Sequence, residues 1–156
     1  MMFFSAKYRK DQERHKLLAE LFLKARACGY YRMYHGDSEV RRLIRDDTSE
    51  FRRLLSDIRR LDPIQFPHAV ATLFTSDSVV LLGLAVELCP ELGDICAEKL
   101  MGFARENMKF CGHTDRAMWA KAELVLAREW YERAEELTRS RECEIEQGLT
   151  ALAWIG

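Results

Sequence analysis

The sequence has no apolar run long enough to cross a membrane. Its longest, VVLLGLAV at 79–86, is eight residues, far below the roughly 20 that a spanning helix needs. The N-terminus carries no secretory pattern, because the patch MMFF is followed at once by Ser5, Lys7, Arg9 and Lys10. Proline and glycine are scarce, at three and eight of 156 residues, which disfavours a fold of many short strands and turns. The composition, 48% apolar and 31% charged, is that of a globular chain and not of a disordered one. A membrane association is not expected, and a cytoplasmic location is.

Specific chemical signatures are missing too. There is no G-x-S-x-G, no glycine-rich phosphate loop and no H-E-x-x-H. His15, His35, His68 and His113 share no spacing that would bring them to one helical face. The pair Cys111 and His113 is close in sequence, but catalytic Cys/His pairs meet across a fold, so adjacency adds nothing. Carboxylate pairs such as Asp46/Asp47 and Glu135/Glu136 read as solvated or capping groups. No enzyme activity and no cofactor are expected. The five cysteines, Cys28, Cys89, Cys96, Cys111 and Cys143, are odd in number and irregular in spacing, which points to reduced thiols. Cys89, Cys96, Cys111 and His113 are the one set with metal-ligand chemistry. Their C-x6-C-x14-C-x-H spacing lacks the tight knuckles of structural zinc sites, so no metal is expected.

What is present is helical periodicity. Residues 6–28 place Leu17, Leu18, Leu21, Phe22, Ala25 and Cys28 on one side, and Gly29 follows where a helix cap belongs. Tyr30, Tyr31 and Tyr34 read as an aromatic connector covering the core, and Asp37 or Ser38 as the cap of the next helix. Pro63 starts a helix running to Phe74, with Pro67 in its first turn. VVLLGLAVEL, apolar almost all round, reads as the central buried helix, stopped by Pro90. Residues 91–107, a long helix from Thr114 to Leu137, and 141–154 complete the set. On the long helix Trp119, Leu126, Trp130 and Leu137 form a packing ridge. The expectation is an all-α chain, 1–156, forming a single domain of seven or eight helices, packed as a bundle or as HEAT/TPR-like hairpins.

AREWYERAEEL, 127–137, resembles the second helix of a tetratricopeptide repeat, through Ala127, Tyr131 and Ala134. The pattern ends there. Asp115, MWAKAEL and Arg139 fall where the motif has its small residue, turn and closing proline, so nothing is carried over from that family. The run 63–107 is similar to HEAT-like folds only in the rhythm of its short helices.

One phrase is written twice. SEVRRLIRD at 38–46 returns as SEFRRLLSD at 49–57. An offset of eleven residues is three turns at about 3.67 residues per turn, so both copies fall on one helical face. Val40, Leu43, Ile44, Phe51, Leu54, Leu55, Ile58 and Leu61 then make an apolar stripe. Asp47 interrupts it, and DTSE at 47–50 has a capping-box pattern, so the spacing predicts two helices broken near Asp47. Arg42 and Arg53 sit near Asp46 and Asp57 at i,i+4 spacing. Arg41, Arg45, Arg52 and Arg59 fall on the other shoulder with no local acid in register. Reversing those four to Glu is expected to abolish partner binding and leave the fold intact; if the ridge instead packs against the acidic half of the chain, the variant should melt much earlier or fail to fold.

The charge is divided along the chain. The N-terminal part, 1–61, holds fifteen Lys and Arg against nine Asp and Glu, while the part 62–156 holds nine against sixteen. These halves can neutralise each other within one molecule or between copies, so self-association belongs to the expectation. The pattern as a whole suggests a non-catalytic module, an adaptor or inhibitor, binding another protein with an acidic surface through the arginine face. The competing reading is a subunit contacting nucleic-acid phosphates, which a sequence pI near 6.4 disfavours.

Overall fold

The computed structural model describes residues 2–28, 35–110 and 112–155, with side chains from Ala6 onward. Among them are eight α-helices and no strand: α1 (Met2–Ala27), α2 (Asp37–Asp46), α3 (Ser49–Leu61), α4 (Phe66–Ala71), α5 (Val79–Leu88), α6 (Gly93–Met108), α7 (Thr114–Arg133) and α8 (Arg139–Ala151). Two 3-10 turns, Thr72–Thr75 and Pro90–Leu92, lead out of α4 and into α6. The all-α expectation holds, and the helix number agrees with it. Among the described residues no helix is long and apolar enough to cross a membrane. Gly29 and the three connector tyrosines lie outside the described residues.

The apolar run 79–88 is the axis of the molecule. Val79 and Leu81–Val86 are buried, as expected for a helix apolar on every side. Ser78 caps it by accepting from the Leu81 N–H, and Ser76 Oγ accepts from the Ser78 N–H at 3.0 Å. Lys99 of α6 donates to the Phe74 and Ser76 carbonyls at 2.5 and 2.7 Å. This corner is therefore tied by backbone polar groups that would otherwise be orphaned.

Around α5 the other helices lay down their apolar stripes. α2 packs on α5 and α7, α1 packs on α3 and the 72–75 turn, and α8 packs on α7. The most extensive pairing is the antiparallel one of α6 with α7. One cluster runs through the whole, from Leu21 and Ala25 of α1 to Ile145 of α8.

Several boundaries move. The helix after Pro63 begins only at Phe66, because Asp62–Gln65 forms a turn in which Asp62 accepts from the Gln65 N–H through both its carbonyl and its carboxylate. α7 stops at Arg133, short of Leu137. Glu135 there adopts a left-handed backbone with φ 56°, and the Glu136 N–H reaches back to the Tyr131 carbonyl at 2.9 Å. That is a Schellman closure with glutamate where glycine is usual. α8 starts earlier than expected because Thr138 accepts from the Arg141 N–H at 3.2 Å. The cap of α2 is Gly36, not Asp37 or Ser38, and Glu39 secures the entry by accepting from the His35 N–H at 2.8 Å.

The break in the arginine repeat is present, between α2 and α3. Its cap differs from the expected box. Thr48 is the cap residue, and its buried hydroxyl turns back to donate to the Ile44 carbonyl instead of capping α3. Glu50 is occupied by Lys24 of α1, at 2.5 Å. The break also rotates Asp47 off the apolar stripe and into solvent.

α8 is fastened by an ionic network. Arg141 donates to Glu98 of α6 at 2.7 and 2.8 Å, to Tyr131 of α7 at 3.1 Å and to Glu144 at 3.2 Å, and Arg105 joins Glu144 at 2.7 and 2.9 Å. Burial works against the charge of Glu98, but hydrogen bonds from Tyr131 and Arg141 outweigh it and hold this carboxyl below the usual range. Arg105 does the same for Glu144. Carboxyls lowered in the folded state stabilise fully above their unfolded pKa, about 4.3. That stabilisation is lost as pH falls through the lowered folded values. Thermal melts should therefore drop as pH falls below about 5 and on through the lowered folded values, and Arg141→Met should shrink the drop while lowering stability at pH 7.

Candidate protein-binding cleft

The arginines of the repeat do not stand free. Arg41 pairs with Asp37 on its own helix and with Glu129 of α7 at 2.5 Å. The hydrogen bond it donates to Glu129 is the main reason its guanidinium is held above its ordinary range. Arg52 donates to Thr48 Oγ1 at 3.0 Å, to the Ile44 carbonyl at 3.2 Å and to Glu87 of α5 at 2.7 Å. It thereby closes the C-terminal end of α2. Arg59 lies over the Phe66 ring, 5.1 Å from its centroid. Arg45 is open, with its side chain 73% exposed and, among the described residues, paired only to the adjacent Asp46 at 3.1 Å. The expectation of a ridge without acids in register is thus corrected. Asp37, four residues before Arg41 on α2, is a local partner, whereas Glu87 and Glu129 come from α5 and α7, which no reading of 38–61 by itself can supply.

The expected local pairs also change partners. Arg42 approaches Glu39 at 3.8 Å, since Arg45 holds Asp46. Asp57 is taken by Arg60 at 2.7 Å, leaving Arg53 exposed without an ion pair among the described residues.

These pairings enclose a cleft of about 300 Å³ between α2, α5 and α7. Its rim is Arg41, Arg45 and Arg133 with Glu87 and Glu129. Glu129 bridges two of the arginines, since Arg133 also donates to it at 3.1 Å. The floor is formed by Ile44, Gly83, Leu126 and Trp130. Gly83 is there because the helices converge on it. A Cβ at this position would lie 2.2 Å from Ile44 Cδ1 and 3.2 Å from Trp130 Cζ2, so a larger residue would push the rim apart. Of the sequence-predicted residues, the fold brings Arg41 and Arg45 to the cleft and Arg52 beside it through Glu87. Arg59, Arg42 and Arg53 point elsewhere. Glu129 and Glu87 were missed because they are 88 and 35 residues distant from Arg41 and Arg52, and Arg133 because it reaches the cleft only through Glu129.

The cysteines are free thiols where described. Burial pushes the Cys96 thiol up to about 12 and raises Cys89 as well, so both persist as protonated apolar groups. Cys111 lies outside the described residues. No group of three His, Cys, Asp or Glu suited to a metal is found among the described residues.

A second polar feature sits under the 109–113 loop. Glu123 and Asn107 are fully buried, and the Asn107 amide donates to Glu123 Oε1 at 2.6 Å. Arg116 donates to Asn107 Oδ1 at 3.3 Å and covers the Phe110 ring at 4.7 Å. Glu123 had a legible signal, since it lies three residues after Ala120 and four before Ala127, on the buried stripe of α7. A buried carboxylate held by an amide ties α6 to α7 at the loop end of the hairpin.

No protein-family model, curated protein or solved structure matches this chain.

Proposed function

We propose that the protein is a non-catalytic binding module, an adaptor or inhibitor, that grips an acidic side chain of a partner protein at the α2–α5–α7 cleft. The observation that carries this reading is the exposed Arg45 guanidinium, paired among the described residues only with its neighbour Asp46, beside Arg41 and Arg133 on a concave apolar floor. An incoming carboxylate can take the open fork of Arg45 and exchange with Glu129 for those of Arg41 and Arg133, in the planar geometry arginine favours. Ile44, Leu126 and Trp130 give the adjoining apolar residue a wall. A mixed-sign rim suits a protein surface better than a phosphate backbone. Glu87 and Glu129 already neutralise Arg52 and Arg41 and would repel a run of phosphates.

The test is a photo-crosslinker at Asp46 to identify the partner, followed by titration of the purified pair. Arg45→Glu/Arg133→Glu should weaken binding at least tenfold. Its stability should change by no more than about 0.5 kcal/mol at Arg45 and by up to about 1 kcal/mol at Arg133, which gives up its i,i+4 pair with Glu129. Full affinity in that variant rejects the cleft. Firm retention on heparin, lost with salt, would instead support the phosphate reading.

A further inference from the structure

The molecule has a larger concavity than this cleft, on a different face. α1 packs on α3 and on the 72–75 turn but diverges from α4, and a groove of about 670 Å³ opens between them. Its floor is apolar, formed by Leu18, Ala19 and Phe22 of α1 and Ala69 of α4. Its rim carries Arg14, His15 and His68. No acidic residue lines it. From residue 14 to residue 22 the α1 wall is about 12 Å long at 1.5 Å per residue, two turns of helix.

α1 itself presents an unbalanced surface. Lys7, Arg9, Lys10 and Lys16 are exposed and form no ion pair among the described residues. Tyr8, seven residues before His15 and so on the same face, is 63% exposed, and Phe22 is 39% exposed. Arg14 is held in place by Asp62 at 2.7 Å, yet its buried Nε has no hydrogen-bond partner. A concave apolar floor with Phe22 exposed at one end, edged by basic groups, is complementary to one kind of element.

We infer that the α1–α4 groove docks an acidic amphipathic helix of a partner protein. Two turns of such a helix would lay Leu- or Phe-sized side chains against Ala19 and Phe22, as helix-in-groove recognition does. Its flanking carboxylates would face Arg14 and the lysines of α1. A concave groove of this volume selects a ridge-shaped ligand over a flat lipid surface. This site is independent of the α2–α5–α7 cleft, and the two together equip the chain to bridge two partners.

The probe is a fluorescein-labelled synthetic helix of sixteen residues, with leucines at i, i+3, i+4 and i+7 spacing and glutamates on the flanks. It is titrated into the full chain and followed by anisotropy. Saturable binding is expected, at least tenfold weaker for the same peptide with lysine in place of glutamate. Ala19→Glu and His68→Glu should each weaken it at least tenfold with an unchanged thermal melt, since both positions are exposed. Arg45→Glu/Arg133→Glu should bind the probe normally, which separates this site from the cleft. The inference is overturned by an absence of saturable binding, by equal affinity for the lysine peptide, or by full affinity in both groove variants. It is equally overturned if the chain prefers phosphatidylglycerol vesicles to the peptide, or if light scattering shows a dimer that Ala19→Glu dissolves.

Discussion

Gly93→Ala should lower the melting temperature by about 6–12 °C, because one methyl group would be forced into the backbone of a neighbouring helix. A Cβ on Gly93 would stand 2.2 Å from the Trp130 carbonyl oxygen, 3.1 Å from its carbon and 3.2 Å from the Ala134 Cβ. A side chain could rotate away, but the last turn of α7 cannot. The Trp130 carbonyl also accepts from the Ala134 N–H at 3.2 Å, so α6 would have to shift bodily. Overpacking typically costs about 1–3 kcal/mol, and a backbone obstacle belongs at the upper end. For a chain of this size each kcal/mol moves the midpoint by about 2–4 °C. Gly102, later in the same helix, is the control. It has nothing within 4 Å of a built Cβ, so Gly102→Ala should stabilise by about 0.5–1 kcal/mol through helix propensity. Thermal denaturation of the two variants should show shifts of opposite sign. An unchanged melt for Gly93→Ala would mean that the α6–α7 hairpin is looser than its packing indicates.

The second large effect is expected from reversing Arg41, Arg45, Arg52 and Arg59 to Glu together. From the sequence alone this variant is expected to fold. The structure favours the other outcome, a variant that melts earlier, because Arg41 and Arg52 pair with acids of α7 and α5. Glutamate at 41 would face Asp37 and Glu129, and glutamate at 52 would face Glu87 beside the Ile44 carbonyl that Arg52 now satisfies. Each lost pair is worth about 0.2–1 kcal/mol, and like-charge contacts in their place add penalties of similar size. The sum, about 2–3 kcal/mol, corresponds to roughly 5–10 °C at about 2–4 °C per kcal/mol. Arg45→Glu alone should melt normally. A quadruple variant as stable as the parent would show that the contacts to α5 and α7 carry no weight.

The helices themselves were legible because they are written locally. The eight-residue apolar core of 79–86, the break after Asp46 and the outward placement of the arginines all follow from spacing along one stretch of chain. So does the buried position of Glu123, once the stripe of α7 is followed. Boundaries were less legible, since caps such as Thr138 and the left-handed Glu135 depend on single backbone bonds.

Which groups meet across helices was not written in any periodicity. Beyond its local partner Asp37, Arg41 meets an acid 88 residues away, and Arg52 one 35 away. The glycines at 83 and 93 look alike in sequence to Gly102, yet only the first two sit where another helix leaves no room for a Cβ. The α1–α4 groove exists because α1 leans on α3 and the 72–75 turn, an angle chosen by side-chain packing. Local spacing therefore determined which faces are apolar and which are charged. Tertiary packing alone decided which charges are spent inside the molecule and which remain for a partner, because that depends on distances between segments far apart in the chain.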